Sequence, residues 1–302
     1  MTDNKSKGES TPRGDHVVVG IDGADPAHAA LLWAAAEADQ RGVALHIVNV
    51  KELRSGQLPL GAAMAEVGEI VAENSGALLD EAVAAVKAAH PGVKVVQVPV
   101  EGQASRKLVK ASKNAALVVV GSHGKHKGPH AAVGTTAFTT AVHAHCPVVV
   151  VHPNRKTAHP SGPATVVVGV DGSRRSARAL DFAIQAARPG GTVKAVYAWW
   201  FDFAEGESIA GGDEVIEARI RHQHNEKVAA FVAEAAAAHP DVTVQALAAE
   251  GSPVHVLDAA AKDADLLVVG SRGKGGFGGL LLGSTAMKSL IGSPVPVALT
   301  HR

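Results

Sequence analysis

Short runs of β-branched and aliphatic residues alternate with longer alanine-rich stretches along the chain, and the whole alternation occurs twice. In the first half the apolar runs fall at about 16–22, 44–50, 93–100, 116–121 and 147–151. In the second half they fall at about 165–171, 192–199, 242–249, 265–270 and 295–300. Runs such as Val17–Val19, Leu117–Val120 and Leu266–Val269 are apolar at consecutive positions. Both faces of such strands need cover, as in a parallel sheet with helices on each side. The stretches between them have helical spacing, most clearly Ala27 to Asp39 and Glu69 to Ala89. Strand–helix alternation predicts parallel strands joined by right-handed crossovers. The expected fold class is α/β: two tandem three-layer α/β/α domains, each with a five-stranded parallel sheet.

The two halves are copies of one unit. Val17–Gly23 (VVVGIDG) returns as Val166–Gly172 (VVVGVDG), and His90-Pro91 returns as His239-Pro240. Glu101-Gly102 returns as Glu250-Gly251, and Gly121–Gly124 (GSHG) as Gly270–Gly273 (GSRG). An internal repeat of this length is a domain duplication. The expected division is a disordered polar tail over 1–14, a first domain over 15–152, a linker over 153–164 and a second domain over 165–302. The linker is rich in proline and polar residues, which suits a connecting segment.

Composition narrows the function. With 302 residues, 46% of them hydrophobic, the chain can bury two cores. Lys plus Arg equals Asp plus Glu at 29 each, so no broad positive field exists to hold a nucleic acid. The single cysteine, Cys146, rules out an intramolecular disulfide and suits a reducing cytoplasm. The first residues lack an apolar signal core, and no apolar run approaches the roughly 18 residues that span a bilayer. A cytoplasmic protein without a membrane partner is the expectation.

In an open parallel sheet a ligand binds beyond the carboxyl ends of the strands, where the winding reverses. Asp22 and Asp171, preceded by Gly20 and Gly169, leave the first strand of each half, and Gly121 and Gly270 leave the fourth. With strand order 3-2-1-4-5, strands one and four are neighbours and these residues face one crevice. The loop after strand four is the chemically specific feature. In the second half it runs Gly270, Ser271, Arg272, Gly273, Lys274, Gly275, Gly276 and on to Gly283, Ser284 and Thr285. The first half keeps the spacing with Gly121, Ser122, Gly124, Lys125, Gly134 and Thr135. Glycine lets backbone N–H groups approach a phosphate, and the start of the following helix favours an anion. Arg272, Lys274 and Lys125 are placed to neutralise phosphate charge.

The spacing Gly-x2-Gly-x9-Gly-(Ser/Thr), with an aspartate closing the first strand, resembles the ATP-binding branch of the universal stress proteins. The resemblance covers both halves apart from tail and linker, and implies an adenine nucleotide alpha hydrolase-like fold. It implies that Asp22 and Asp171 contact the adenosine portion and that backbone at Val50 and Ala198 borders the adenine. It further implies that the glycine loop and its Ser/Thr hold ribose and phosphates, so that ATP, with Mg²⁺, is the expected cofactor. Pairing through the fifth strand is common in the family, which implies an intramolecular pseudo-dimer and a homodimer. A stress-response protein without catalytic residues, at most a slow ATPase, follows, together with a regulatory protein partner. The first loop departs from the pattern through Pro129, which removes a donor and stiffens the backbone.

Other readings compete. A nucleotide-independent interaction module on the same fold is the alternative. Gly273–Gly278 satisfies GxGxxG, but no acidic residue follows Asp265 to hold a dinucleotide ribose, and no Walker A pattern occurs. His123, His126 and His130 lie close in sequence without a cysteine or acidic partner, so no metal is expected. Trp199 and Trp200 leave a strand near the expected adenine edge, where packing competes with base stacking. The long connections 51–63 and 200–213 are candidate lids.

Overall fold

A computed structural model of the chain describes residues 14–51, 63–124, 133–153, 159–199, 214–273 and 281–301. The expected tail falls outside these residues except for Gly14, the candidate lid 200–213 falls wholly outside, and 51–63 falls outside except for Lys51 and Ala63. Lys125, Lys274, Gly275, Gly276, His126, Pro129, His130 and Trp200 also lie outside.

The first half runs β1 (His16–Ile21), α1 (Asp25–Arg41), β2 (Ala44–Lys51), α2 (Ala63–Ala89), β3 (Val95–Glu101), α3 (Ala104–Ala111), β4 (Leu117–Gly121), α4 (Thr135–His143) and β5 (Val148–Val151). The second runs β6 (Thr165–Gly169), α5 (Arg174–Ala187), β7 (Thr192–Trp199), α6 (Glu214–Ala238), β8 (Thr243–Glu250), α7 (Pro253–Ala261), β9 (Leu266–Gly270), α8 (Ser284–Gly292) and β10 (Val297–Thr300). Each strand ends within two residues of its expected limits. Helix α2 begins earlier than the Glu69 expected from periodicity.

The strands form one ten-stranded sheet in the order β3-β2-β1-β4-β5-β10-β9-β6-β7-β8. Each half has the order 3-2-1-4-5 with parallel pairing, and the halves meet where β5 and β10 pair antiparallel. At this seam Val297 faces Val150, and Leu299 faces Val148. All four residues of β5 and of β10 are buried. Burying each valine or leucine side chain among them contributes about 1.5–3 kcal/mol, so the seam is a core and not a loose domain contact. One core, which includes Val149 and Ala298, lies beneath α1, α2, α5 and α6. The other, which includes Val150 and Leu299, lies on the opposite face with α3, α4, α7 and α8. Both run across the seam.

The described end of the linker is fastened between α1 and α5. Glu37 of α1 is 4% exposed. Its Oε2 accepts from Nε2 of His159 at 2.6 Å and from Nη2 of Arg188 at 3.1 Å, while Oε1 accepts from Nε of Arg41 at 2.6 Å. Arg188 also donates to the carbonyls of Pro160 (3.1 Å) and Gly162 (3.0 Å), and Gln40 donates to Pro160 at 2.7 Å. The His159 ring meets Trp33 edge-on at 4.6 Å. Arg188 holds φ +64°, the one positive φ at a non-glycine residue among those described. Such a conformation costs of order 1–3 kcal/mol, and the three acceptors around its guanidinium are what retain it. Burial acts to raise the Glu37 carboxyl pKa, but the His159 hydrogen bond and the Arg41 charge outweigh it and hold it at about 2. The carboxylate is therefore a charged bridge between the first copy, the linker and the second copy.

Candidate functional site

Each half has a cleft at the carboxyl edge of its strands, between the first and fourth. The first has a volume of about 580 Å³ and the second about 430 Å³. The two clefts are built alike, because the same local sequence forms the same turns.

After β1 and β6 the chain turns through Gly23 (φ +78°) and Gly172 (φ +71°). The aspartate before each glycine closes the turn: Oδ1 of Asp22 accepts from the N–H of Ala24 at 3.1 Å, and Oδ1 of Asp171 from that of Ser173 at 2.9 Å. This leaves Oδ2 directed at the glycine loop. A Cβ built on Gly273 would lie 2.7 Å from Oδ2 of Asp171, and one on Gly124 would stand closer still to Oδ2 of Asp22. Only glycine fits at both places without displacing the carboxylate.

The loop returns to the sheet by a backbone clamp. The N–H of Gly134 donates to the carbonyl of Ser122 at 2.6 Å, and that of Gly283 to the carbonyl of Ser271 at 2.9 Å. Gly134 and Gly283 then cap α4 and α8 with extended backbone and no side-chain hydrogen bond. The first-turn N–H groups of these helices have no intrahelical partner and carry the positive end of the helix dipole. Thr135 and Thr136 in one cleft, and Ser284 and Thr285 in the other, present that end to the ligand space.

Most of the sequence-predicted residues converge. Gly20, Asp22, Val50, Gly121, Gly124, Gly134 and Thr135 line the first cleft. Gly169, Asp171, Ala198, Gly270, Arg272, Gly273, Gly283, Ser284 and Thr285 line the second. Ser122 and Ser271 are not among the lining residues. Ser122 is fully buried, with its hydroxyl 2.5 Å from Nδ1 of His123, and both serines serve the loop through their backbone. Trp199 is also not in the lining; it is 7% exposed and stacked on His224 of α6 at 4.9 Å. Among the described residues no group of three or more His, Cys, Asp or Glu is placed to hold a metal ion.

Sequence reasoning missed the third wall. Gln103, Ala104 and Ser105 at the start of α3 line the first cleft, and Pro253 and Leu257 of α7 line the second. The signal was present in the repeated Glu-Gly pair. Gly102 (φ +123°) and Gly251 (φ +132°) make the sharp exits from β3 and β8 that aim these helices at the clefts. Such backbone angles belong to glycine.

Glycines of the same motif differ in tolerance. A Cβ on Gly121 would lie 2.5 Å from the carbonyl carbon of Pro26 at the start of α1, whereas on Gly270 the nearest atom is 3.5 Å away. Gly121→Ala is therefore expected to destabilise the fold by about 1–3 kcal/mol through overpacking, and Gly270→Ala by less than about 0.5 kcal/mol. Thermal melts of the two variants check this; equal melting temperatures would show that α1 yields freely.

An α/β sheet wound 3-2-1-4-5, with an aspartate facing a glycine at the switch point in each of two copies, defines a tandem α/β protein with one cleft per copy. The model of the universal stress protein family matches residues 14–152 and again 164–301, and the chain belongs to that family as a tandem, stress-response member. A universal stress protein of Mycolicibacterium smegmatis is 32% identical over 289 residues, covering 94% of this chain and 96% of the relative. One from Mycobacterium tuberculosis is 30% identical over 302 residues, covering 93% and 95%. The solved structure of a universal stress protein from Archaeoglobus fulgidus superposes with a TM-score of 0.64 at 21% identity, covering 96% of this chain and 97% of that one. That likeness confirms the fold. No described helix is long and apolar enough to cross a membrane.

Proposed function

We propose that each cleft binds an adenine nucleotide, ATP with Mg²⁺, and that the protein is a cytoplasmic regulator whose nucleotide state alters its contacts with a protein partner. One observation carries this reading. In both copies a carboxylate, a glycine where a Cβ would displace that carboxylate and an uncapped helix N-terminus converge on one cleft. The helix end and the loop N–H groups suit the phosphates. Asp22 and Asp171 suit the ribose hydroxyls, and the strand ends at Val50 and Ala198 suit the flat, apolar base. Volumes of about 430 and 580 Å³ are of the size that holds a ligand of this class.

Hydrolysis is slow or absent on this reading. Each aspartate already commits one oxygen to its turn, and among the described residues the one hydroxyl held by a histidine beside a cleft, that of Ser122 on His123, is buried outside the lining. Bound Mg²⁺ would neutralise phosphate charge, with Asp22 and Asp171 the nearest carboxylates in the linings.

The test is to purify the protein gently, denature it and quantify released nucleotide by chromatography, then titrate stripped protein with Mg-ATP, GTP and cyclic AMP. Between one and two ATP per chain, with ATP preferred on titration, is expected. An empty protein that regains none would transfer the reading to a nucleotide-independent interaction module.

A further inference from the structure

The two clefts share their motif but not their third wall. Gln103, Ala104 and Ser105, where α3 begins, line the first cleft. The matching residues of the second copy are Ser252, Pro253 and Val254, of which Pro253 is in the lining. Ser105 is 3% exposed, and its hydroxyl makes no hydrogen bond among the described residues. A hydroxyl buried this far normally has a partner, and the space that Ser105 borders is the cleft. Helices α3 and α4 pack against each other, so two helix N-termini open on the first cleft. In the second copy α7 begins with Pro253, which has no N–H to offer.

Lys107 adds a cation beside this wall. Its Cε lies 3.1 Å, and its Nζ 3.9 Å, from where a Cβ on Gly102 would stand, so the side chain folds back over the exit from β3. Over Gly251 in the second copy lies a methyl group of Val256, at 3.4 Å. Lys107 makes no ion pair among the described residues. It belongs to the start of α3, where the helix dipole disfavours positive charge and no acidic residue of the first turn compensates. Glu101, opposite Lys51 in the β2–β3 register, returns as Glu250 and does not distinguish the copies.

The loop side shows the reverse change. Arg272, always charged, lines the second cleft, and His123 takes its place in the first. Each lining keeps its one aspartate, Asp22 or Asp171. Among the described residues, the fixed positive charge therefore stands by the glycine loop in the second copy and by α3 in the first.

We infer that the first cleft seats a second anionic group at α3, apart from the phosphates at α4, and that its ligand is a nucleotide phosphorylated at two positions. Ser105 and the first-turn N–H groups of α3 are the donors, and Lys107 supplies the counter-charge. The second cleft, with Pro253 and Val256 in those places, takes a nucleotide phosphorylated at one end. A neutral polar group fits the α3 end less well, because it leaves the Lys107 charge against the helix dipole without compensation. The inference rests on the reading of the clefts as nucleotide sites and names what separates the two.

The experiment is calorimetric titration of the full chain with adenosine 3′,5′-bisphosphate, AMP and ATP. Gly273→Glu leaves the first cleft to bind, and Gly124→Glu leaves the second. In the first cleft the bisphosphate is expected to bind more than about 10-fold tighter than AMP, the worth of one charge-assisted contact. In the second cleft the two are expected to agree within about 3-fold. Ser105→Ala with Lys107→Gln, added to Gly273→Glu, is expected to bring the preference below about 3-fold. Pro253→Ala, Val254→Ser and Val256→Lys, added together to Gly124→Glu, are expected to confer the preference on the second cleft. Melting curves confirm that each variant is folded. An equal preference in both clefts, or one that survives the Ser105 and Lys107 changes, would overturn this inference alone. An effect of those changes confined to ATP would assign the α3 end to the last phosphate of a single chain and overturn it too. Failure of both clefts to bind any of the three nucleotides would remove the nucleotide reading, and this inference with it.

Discussion

Gly273→Glu is expected to empty the second cleft of nucleotide while leaving the first cleft unaffected. The reason is steric and then electrostatic. Any Cβ at this position would lie 2.7 Å from Oδ2 of Asp171, so the carboxylate must leave the place from which it faces the ligand. The new carboxylate then enters the space between Asp171 and the N-terminus of α8, where the proposed phosphates lie. Like-charge juxtaposition of this kind costs several kcal/mol, which corresponds to more than about 100-fold in affinity. Nucleotide released per chain should fall by the share held in the second cleft, and Gly124→Glu should remove the remainder. Calorimetric titration of the double variant provides the check. Unchanged ATP affinity at the second cleft would remove the glycine loop from the proposed site. Gly273→Ala separates the two causes, since it retains the steric conflict and omits the charge.

Glu37→Gln is expected to be strongly destabilising although it lies far from the clefts and removes no apolar contact. It leaves the side-chain volume almost unchanged but removes the charge that Arg188, Arg41 and His159 share. Breaking a buried ion pair from one side typically costs about 3–5 kcal/mol, because the remaining charge stays buried without compensation. The melting temperature should fall by roughly 6–15 °C for a protein of this size. Arg41→Ala should cost less, since that side chain is 26% exposed and one of three partners. A Glu37→Gln variant that melts with the wild type would mean the network is ornamental.

The same carboxylate sets an acid limit. Its pKa falls from the ordinary 4.5 to about 2 on folding. A depressed folded value means that the ionised form stabilises the protein fully above about pH 5, and that this contribution declines as pH drops toward 2. Stability measured by denaturant titration should therefore decline between about pH 5 and pH 2 in the wild type, and Glu37→Gln should flatten that part of the profile.

Much of the site was legible before any coordinates because its determinants are local. The Asp-Gly turn, the glycine spacing and the helix start after Gly134 or Gly283 depend on neighbouring backbone, and neighbouring residues encode them. The exceptions are equally physical. Ser122 and Ser271 sit inside the motif, yet their contribution is a carbonyl that clamps Gly134 or Gly283, and no residue type announces a backbone acceptor. Trp199 leaves a strand at the expected base edge, but the partner that draws it away, His224, is on another element.

By itself the sequence determined the duplication, the ten strands and the spacing of the two glycine motifs. All of these follow from periods and spacings that operate over a few tens of residues. The family resemblance implied pairing through the fifth strands, but no residue pattern did, and only the tertiary structure decided that β5 and β10 join the halves into one sheet. β5 and β10 are short, wholly buried strands, apolar but for Thr300, and nothing in either residue pattern states in which direction it will pair. Their antiparallel pairing turns two sheets into one. Glu37 lies in an alanine-rich helix and reads as a solvated charge until Arg188, 151 positions later, is brought against it. Pairings at such separation depend on the folded shape, because only burial makes a lone charge seek a particular partner.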